Sequence, residues 1–176
     1  MTEFNGLPAH ILLIHLVVVG IPVAALLTVL SAVWPAARVR LGIATPVIAL
    51  LALICVPITT NAGQWLQHHV YIDPKTANGQ LILTHIRIGD GLTPWAIGLF
   101  VLALAAWGIP HLLGREKGPA VLGSSATKIA VGVLALAIAV VAVIQVYRIG
   151  DAGAKAAWSS NFCKVEIAVG TSCPAA

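Results

Sequence analysis

Four long apolar stretches constrain this chain more than any other feature of its sequence. They run from about 9 to 34, 41 to 62, 92 to 113 and 129 to 149. A helix of about 20 apolar residues crosses a hydrocarbon layer of about 30 Å, whereas a lone strand would leave its backbone groups unpaired in lipid. The sequence therefore predicts an all-α integral membrane four-helix bundle, with short turns on one side and a longer loop and tail on the other. We expect a single domain over residues 1–176, in which residues 150–176 form the polar tail.

The composition excludes the main alternative classes. Only 9% of the residues are charged and 59% are hydrophobic, whereas a globular domain carries roughly 25% charged residues. A soluble domain of this size cannot cover its surface with so few charges, and a disordered chain is far less apolar. The net charge of +4 comes from scattered basic residues, so we predict no nucleic-acid partner.

Basic residues and cysteines indicate the orientation in the membrane. The two short turns hold Arg38, Arg40, Arg115, Lys117 and Lys128. The other side holds as many basic residues. Positive charge marks the cytoplasmic side most reliably when it lies in short turns beside the membrane, so we expect these two turns to be cytoplasmic. Cys163 and Cys173 lie in the tail, where a disulfide would require the oxidising side. We therefore expect a plasma-membrane protein with both termini outside.

Histidines gather at the end of the bundle opposite the short turns. Counted along each span, six residues reach the outer boundary or lie above it: His10, His15, His68, His69, His85 and Asp90. Imidazole nitrogens ligate haem iron, copper and zinc. One expected site is a b-type haem, with its ligands drawn from His10, His15, His69 and His85. The other is a metal site drawn from His10, His68, His69, His85 and Asp90.

The depth of each histidine favours some ligand pairs over others. His10 stands at nearly the level of His69 and His85, whereas His15 and His85 would differ by roughly 10 Å on upright helices. A competing interpretation is that the histidines only form hydrogen bonds across helix ends. Proton or quinone chemistry is a further alternative, because a histidine beside Asp90 can titrate near neutral pH.

The segment before the third span carries further polar residues. If it is helical, His85 and Gly89 share a face, and Gly89 leaves room for a bulky flat group or for a close backbone. Arg87 and Asp90 are then close enough for an ion pair. The sequence predicts one long helix from Leu81 to Leu113.

Polar and small residues within the spans indicate how the helices pack. His15, Thr59 and Gln145 are expected to hydrogen-bond to neighbouring helices, because an unpartnered polar group is costly in the membrane. Small residues predict a close-packing face on the fourth span: Gly132, Ala135, Ala139 and Ala142. The sequence alone shows no internal repeat.

The string Pro8-Ala9-His10-Ile11-Leu12-Leu13-Ile14-His15 resembles the opening of the bacterial membrane family called domain of unknown function 2231. That family begins its first helix with His-Pro and then Val-His-Phe-Pro. Residues Ile11, Leu16 and Val17 stand here for the first proline, the phenylalanine and the second proline. Residues 84–90 with Pro94-Trp95 resemble its third-helix entrance. Residues 151–158 resemble its actinobacterial ending, in which Asp151 replaces a histidine.

The resemblance covers most of residues 8–158 and implies a four-helix architecture. Relatives sometimes occur joined to Rieske-type iron-sulfur domains, which suggests a respiratory or redox setting by association. The leading hypothesis is therefore a redox-associated membrane protein that binds haem or a metal, with no catalytic residue assigned. The alternatives are an accessory or scaffold subunit of a larger membrane complex, a homo-oligomer, and a small transporter. The last is disfavoured because no acidic residue lies deep in a span.

Overall fold

The computed structural model describes residues 3–114, 119–158 and 162. Within them the chain forms the helices α1 (Ala9–Val33), α2 (Pro35–Leu41), α3 (Ala44–Gln67), α4 (Ala77–Gly89), α5 (Thr93–Gly114) and α6 (Ser125–Trp158). Two 3-10 turns, Asp90–Leu92 and Ala120–Gly123, precede α5 and α6. A hairpin of strands β1 (Glu3–Phe4) and β2 (Leu7–Pro8) leads into α1.

Four helical stretches are long and apolar enough to cross a membrane: Ala9–Val33, Ala44–Gln67, Ala77–Gly114 and Ser125–Trp158. The predicted all-α four-helix membrane fold is thereby confirmed. The third stretch also confirms the long helix predicted from Leu81 to Leu113, since only one 3-10 turn separates α4 from α5. The helix begins under a cap, because Thr76 Oγ1 accepts a hydrogen bond from the Gly79 N–H at 3.0 Å.

Three predicted boundaries differ from the helices observed. The second span runs from Ala44 to Gln67 rather than from residue 41 to 62. Its start is later because the short helix α2 fills the turn and is capped by Gly42, whose φ of 50° favours glycine. The fourth span continues to Trp158, so residues 150–158 belong to a helix and not to a polar tail. The cysteines of the expected disulfide, Cys163 and Cys173, lie outside the described residues.

The first and third helical stretches bury equivalent positions. In the first half of the bundle α1 packs along α3, and in the second half α4 and α5 together pack along α6. A shift of 75 residues relates their buried residues, so that Val17, Ile21, Ala24, Thr28 and Ser31 correspond to Leu92, Ala96, Leu99, Ala103 and Ala106.

A shift of 90 residues relates α3 to α6 in the same way. Four buried residues are identical in the two helices: Ala49, Ala52, Val56 and Ala62 correspond to Ala139, Ala142, Val146 and Ala152. The bundle is therefore an internal repeat of two helical hairpins, which the sequence alone did not reveal. The repeat is obscured because many apolar side chains can fill a core position, so burial is preserved where identity is not.

The core between the helices consists largely of small side chains. Ala24, Ala103, Ala135 and Ala142 are completely buried. Small residues let membrane helices approach closely, and the resulting van der Waals contact holds them together. The predicted close-packing face of the fourth span is confirmed at Ala135, Ala139 and Ala142.

Candidate functional site

His10 connects α1 to α3. Its ring nitrogen Nδ1 lies 2.9 Å from the carbonyl oxygen of Thr59. The ring rests on the backbone of α3 at Gly63, where an added Cβ would lie only 2.9 Å from the ring atoms Cε1 and Nδ1. A residue larger than glycine at position 63 would therefore displace the imidazole.

His85 connects α4 to α6 in the same way. Its Nδ1 lies 2.9 Å from the carbonyl oxygen of Ile149, and a Cβ at Gly153 would lie 3.0 Å from the ring atoms Cε1 and Nδ1. In both halves the accepting carbonyl lies four residues before the glycine, which is one helical turn. Each half therefore places one histidine ring against one glycine of its second helix, and we call this arrangement a histidine seat.

The two seats occupy equivalent positions in the repeat. His85 follows His10 by 75 residues and Gly153 follows Gly63 by 90 residues, the shifts that relate the buried core. Each histidine is followed by isoleucine, and the glycines end the short motifs Asn61-Ala62-Gly63 and Asp151-Ala152-Gly153. Sequence analysis missed both glycines, although this repeated motif was the signal that could have revealed them.

The hydrogen bonds fix which nitrogen of each ring is available. A carbonyl oxygen only accepts hydrogen bonds, so Nδ1 of each ring carries the hydrogen and donates it. In a neutral imidazole this leaves the lone pair on Nε2, the arrangement that backbone carbonyls give to metal-ligating histidines. His10 and His85 therefore each present one Nε2 that can accept a proton or ligate a metal.

The two seated rings are neighbours at the same end of the bundle. Their centroids lie 6.1 Å apart, and their planes are inclined by 78°. When two imidazoles ligate one metal from opposite sides, a metal–nitrogen bond of about 2 Å on each side and a ring radius of about 1 Å place the centroids roughly 6 Å apart. The observed separation is thus compatible with two imidazoles on one metal, and it also falls within the range of simple aromatic pairs.

The other predicted ligands are placed differently. His15 is exposed, and its Nδ1 lies 3.0 Å from the carbonyl oxygen of Ile11 on its own helix, so the expected partner on a neighbouring helix was wrong. His69 stacks on Trp65 with ring centroids 3.9 Å apart, and His68 is exposed. These three histidines are occupied locally or face outward rather than joining the pair.

The expected metal site of five residues is also corrected. Among residues 3–114 and 119–158, no group of three or more His, Cys, Asp or Glu residues is placed to hold a metal ion. His10 and His85 come together, but His68, His69 and Asp90 do not complete a ligand set with them. Nor does Asp90 pair with Arg87, since the one salt bridge in that part of the chain joins Lys155 to Asp151 at 2.7 Å.

Two polar residues inside the spans do not bridge helices as expected. Thr59 Oγ1 donates to the carbonyl oxygen of Cys55 on its own helix at 2.7 Å. The Oε1 atom of Gln145 is buried without a partner among the described residues. At Gly89 an added Cβ would meet no atom within 4 Å, so no neighbouring backbone approaches closely there, and room for a flat group stays a prediction.

Comparison of the chain with protein-family models, with curated proteins and with solved structures gives no match.

Proposed function

We propose that this membrane protein binds one b-type haem, with His10 and His85 as its axial ligands, and serves in electron transfer. One observation supports this above all. Two equivalent histidines, each held through Nδ1 by a helix carbonyl, lie with ring centroids 6.1 Å apart. Each half supplies one imidazole to this pair, and a metal held from two sides requires two ligands.

The number of ligands favours haem over a metal ion held by protein alone. A structural zinc ion takes four protein ligands, and His10 and His85 supply two. A b-type haem takes two, because the porphyrin supplies four nitrogens. Bound haem would supply one-electron redox chemistry, while the chain's own residues orient both imidazoles and raise their basicity through the Nδ1–H bonds.

An absorption spectrum of the purified protein, before and after addition of haem, tests the proposal. We expect a Soret band with one haem per chain, measured together with an iron analysis. His10→Ala and His85→Ala should each abolish low-spin bis-histidine absorption, because each variant removes one axial ligand. His15→Ala and His69→Ala are matched controls at the same end of the bundle, and both should retain the wild-type spectrum.

Two results would contradict this function. The protein could stay colourless and iron-free after addition of haem, which would reduce the histidine pair to a packing contact. Alternatively, His10→Ala and His85→Ala could keep the wild-type spectrum, which would place any haem elsewhere.

The cellular setting belongs to the same proposal. We place the chain in the plasma membrane with both termini outside, near a respiratory complex or a second copy as its electron partner. The basic residues Arg38 and Arg40 in the short turn beside the first span support this orientation, and the resemblance to domain of unknown function 2231 supports the redox setting. An impermeant maleimide should label Cys163 and Cys173 on intact cells after reduction. Labelling only in lysed cells would reverse the orientation.

A partner is tested separately from the cofactor. A complex that co-purifies in mild detergent with a colourless chain would favour the accessory or scaffold subunit. A solitary, monodisperse chain that carries haem would favour a self-contained haem protein.

A further inference from the structure

A cavity of about 290 Å³ opens at the end of the bundle opposite the histidine pair, between α1, α5 and α6. We call this end, where α1 and α5 finish and α6 begins, the turn end. The cavity walls include Ala32 and Ala106, which pack in one cluster with Ala135. Its volume is close to the lower limit of small-molecule sites, about 300 Å³.

Two cations face this cavity, and they differ in how they are held. The Arg38 guanidinium donates through Nε to the carbonyl oxygen of Ser31 at 2.6 Å and through Nη2 to that of Ala32 at 2.8 Å. These bonds fix the guanidinium, and its remaining N–H groups are available to a ligand. Lys128 also lines the cavity, and in the described part of the chain its side chain forms no salt bridge or hydrogen bond.

The rest of the lining is mostly apolar. Ile109 and Leu113 of α5 and Val131 of α6 line it together with Thr127, whose hydroxyl donates to the carbonyl oxygen of Val121 at 2.8 Å. The cavity therefore combines positive charge with an apolar wall at the end of membrane-crossing helices. An anionic phospholipid has the complementary chemistry, because its phosphate is negative and its acyl chain is apolar.

We propose that this cavity binds one anionic phospholipid, with its phosphate between Arg38 and Lys128 and its acyl chain along Ile109 and Val131. Basic pockets between membrane helices bind anionic headgroups in this way. Both halves of the repeat contribute to the cavity, since Ala32 and Arg38 come from the first half and Ala106 and Lys128 from the second.

Lipid retention by the full chain tests this proposal. The protein is reconstituted in nanodiscs of phosphatidylcholine with a minority of phosphatidylglycerol, re-extracted in mild detergent, and analysed for bound lipid by native mass spectrometry. We expect selective retention of one phosphatidylglycerol. Lys128→Gln should weaken retention about fivefold, the contribution of one basic residue near an anionic surface. Arg40→Gln removes an equal charge from an exposed position of α2 outside the cavity and should change nothing.

Arg38→Gln should weaken retention at least as much, but it also removes two bonds to the end of α1. Lys128→Gln removes no side-chain hydrogen bond or salt bridge among the described residues, so it carries the test if Arg38→Gln fails to fold. Equal retention of both lipids, or an equal effect of Arg40→Gln and Lys128→Gln, would overturn the proposal. Displacement of the lipid by inorganic phosphate at low millimolar concentration would also overturn it, since the site would then be one for a free anion.

Discussion

The two halves of the bundle are alike at the histidine end and differ at the turn end. At the histidine end each half places an imidazole on a helix carbonyl above a glycine, with an Nδ1–oxygen distance of 2.9 Å in both. At the turn end the first half joins α1 to α3 through a hydrogen bond of 2.9 Å between Ser31 Oγ and Thr45 Oγ1. The equivalent positions of the second half are Ala106 and Ala135, which pack together without a polar group.

This difference distinguishes the residues that hold two helices together from the residues that form the candidate site. Either a hydroxyl pair or an alanine pair holds two membrane helices together, because both are small enough for close approach. The histidine seat has no such substitute in this chain, and both halves contain it. The two copies converge on one point, and this convergence is the observation on which the proposed haem site rests.

The largest expected effect comes from filling the histidine seats. Gly63→Ala and Gly153→Ala each place a Cβ about 3 Å from an imidazole ring. The ring must shift, which strains its hydrogen bond to the carbonyl, so we expect a loss of about 1–3 kcal/mol in unfolding free energy, with weakened haem absorption in both variants. Thermal unfolding in detergent and absorption spectra measure the two effects.

Gly150→Ala on the same helix is the matched control, because a Cβ there meets nothing within 4 Å. Alanine should leave the spectrum unchanged and raise helix stability by up to about 1 kcal/mol. If only one of Gly63→Ala and Gly153→Ala lowered stability and haem absorption, His10 and His85 would not be equivalent. The two halves would then differ at the histidine end as well.

An intermediate effect is expected when the turn end of the first half is converted to that of the second. Ser31→Ala or Thr45→Ala alone leaves a buried hydroxyl without its partner and should cost about 1 kcal/mol. The double variant reproduces the alanine pair of the second half. Its cost should be smaller than the sum of the single variants, giving a coupling of about 0.5–1.5 kcal/mol in a double-mutant cycle. Additive costs would show that the hydroxyl pair is not the link between α1 and α3.

The smallest effect is expected at Asp151, where the halves differ by Asn-Ala-Gly and Asp-Ala-Gly. Asp151→Asn makes the two motifs identical and removes the ion pair with Lys155. The side chain of Lys155 is 61% exposed and that of Asp151 is 39% exposed. Exposed pairs of this kind contribute little, so the melting temperature should not change measurably. A large loss of stability, or a changed haem spectrum, would assign Asp151 a role that its exposure does not suggest.

Local sequence patterns predicted the membrane spans, but for the site they only reduced the candidate ligands to six residues. The six candidates included His10 and His85, because depth along each span can be counted from the sequence. The sequence also nominated His15, which lies one to two turns along the same helix yet faces outward. Gly63 and Gly153 were missed, since a glycine becomes part of a site only through the side chain that a different helix places on it.

The sequence by itself determined that the chain has four membrane-crossing helices, because the length of an apolar run is matched directly to the thickness of a bilayer. Only the tertiary structure decided that His10 and His85 meet and that the bundle repeats. The lipid-facing and buried sides of a membrane helix are both apolar, so hydropathy does not fix how each helix is rotated about its axis. That rotation, set here by contacts among alanines and glycines, decides which polar side chains come together.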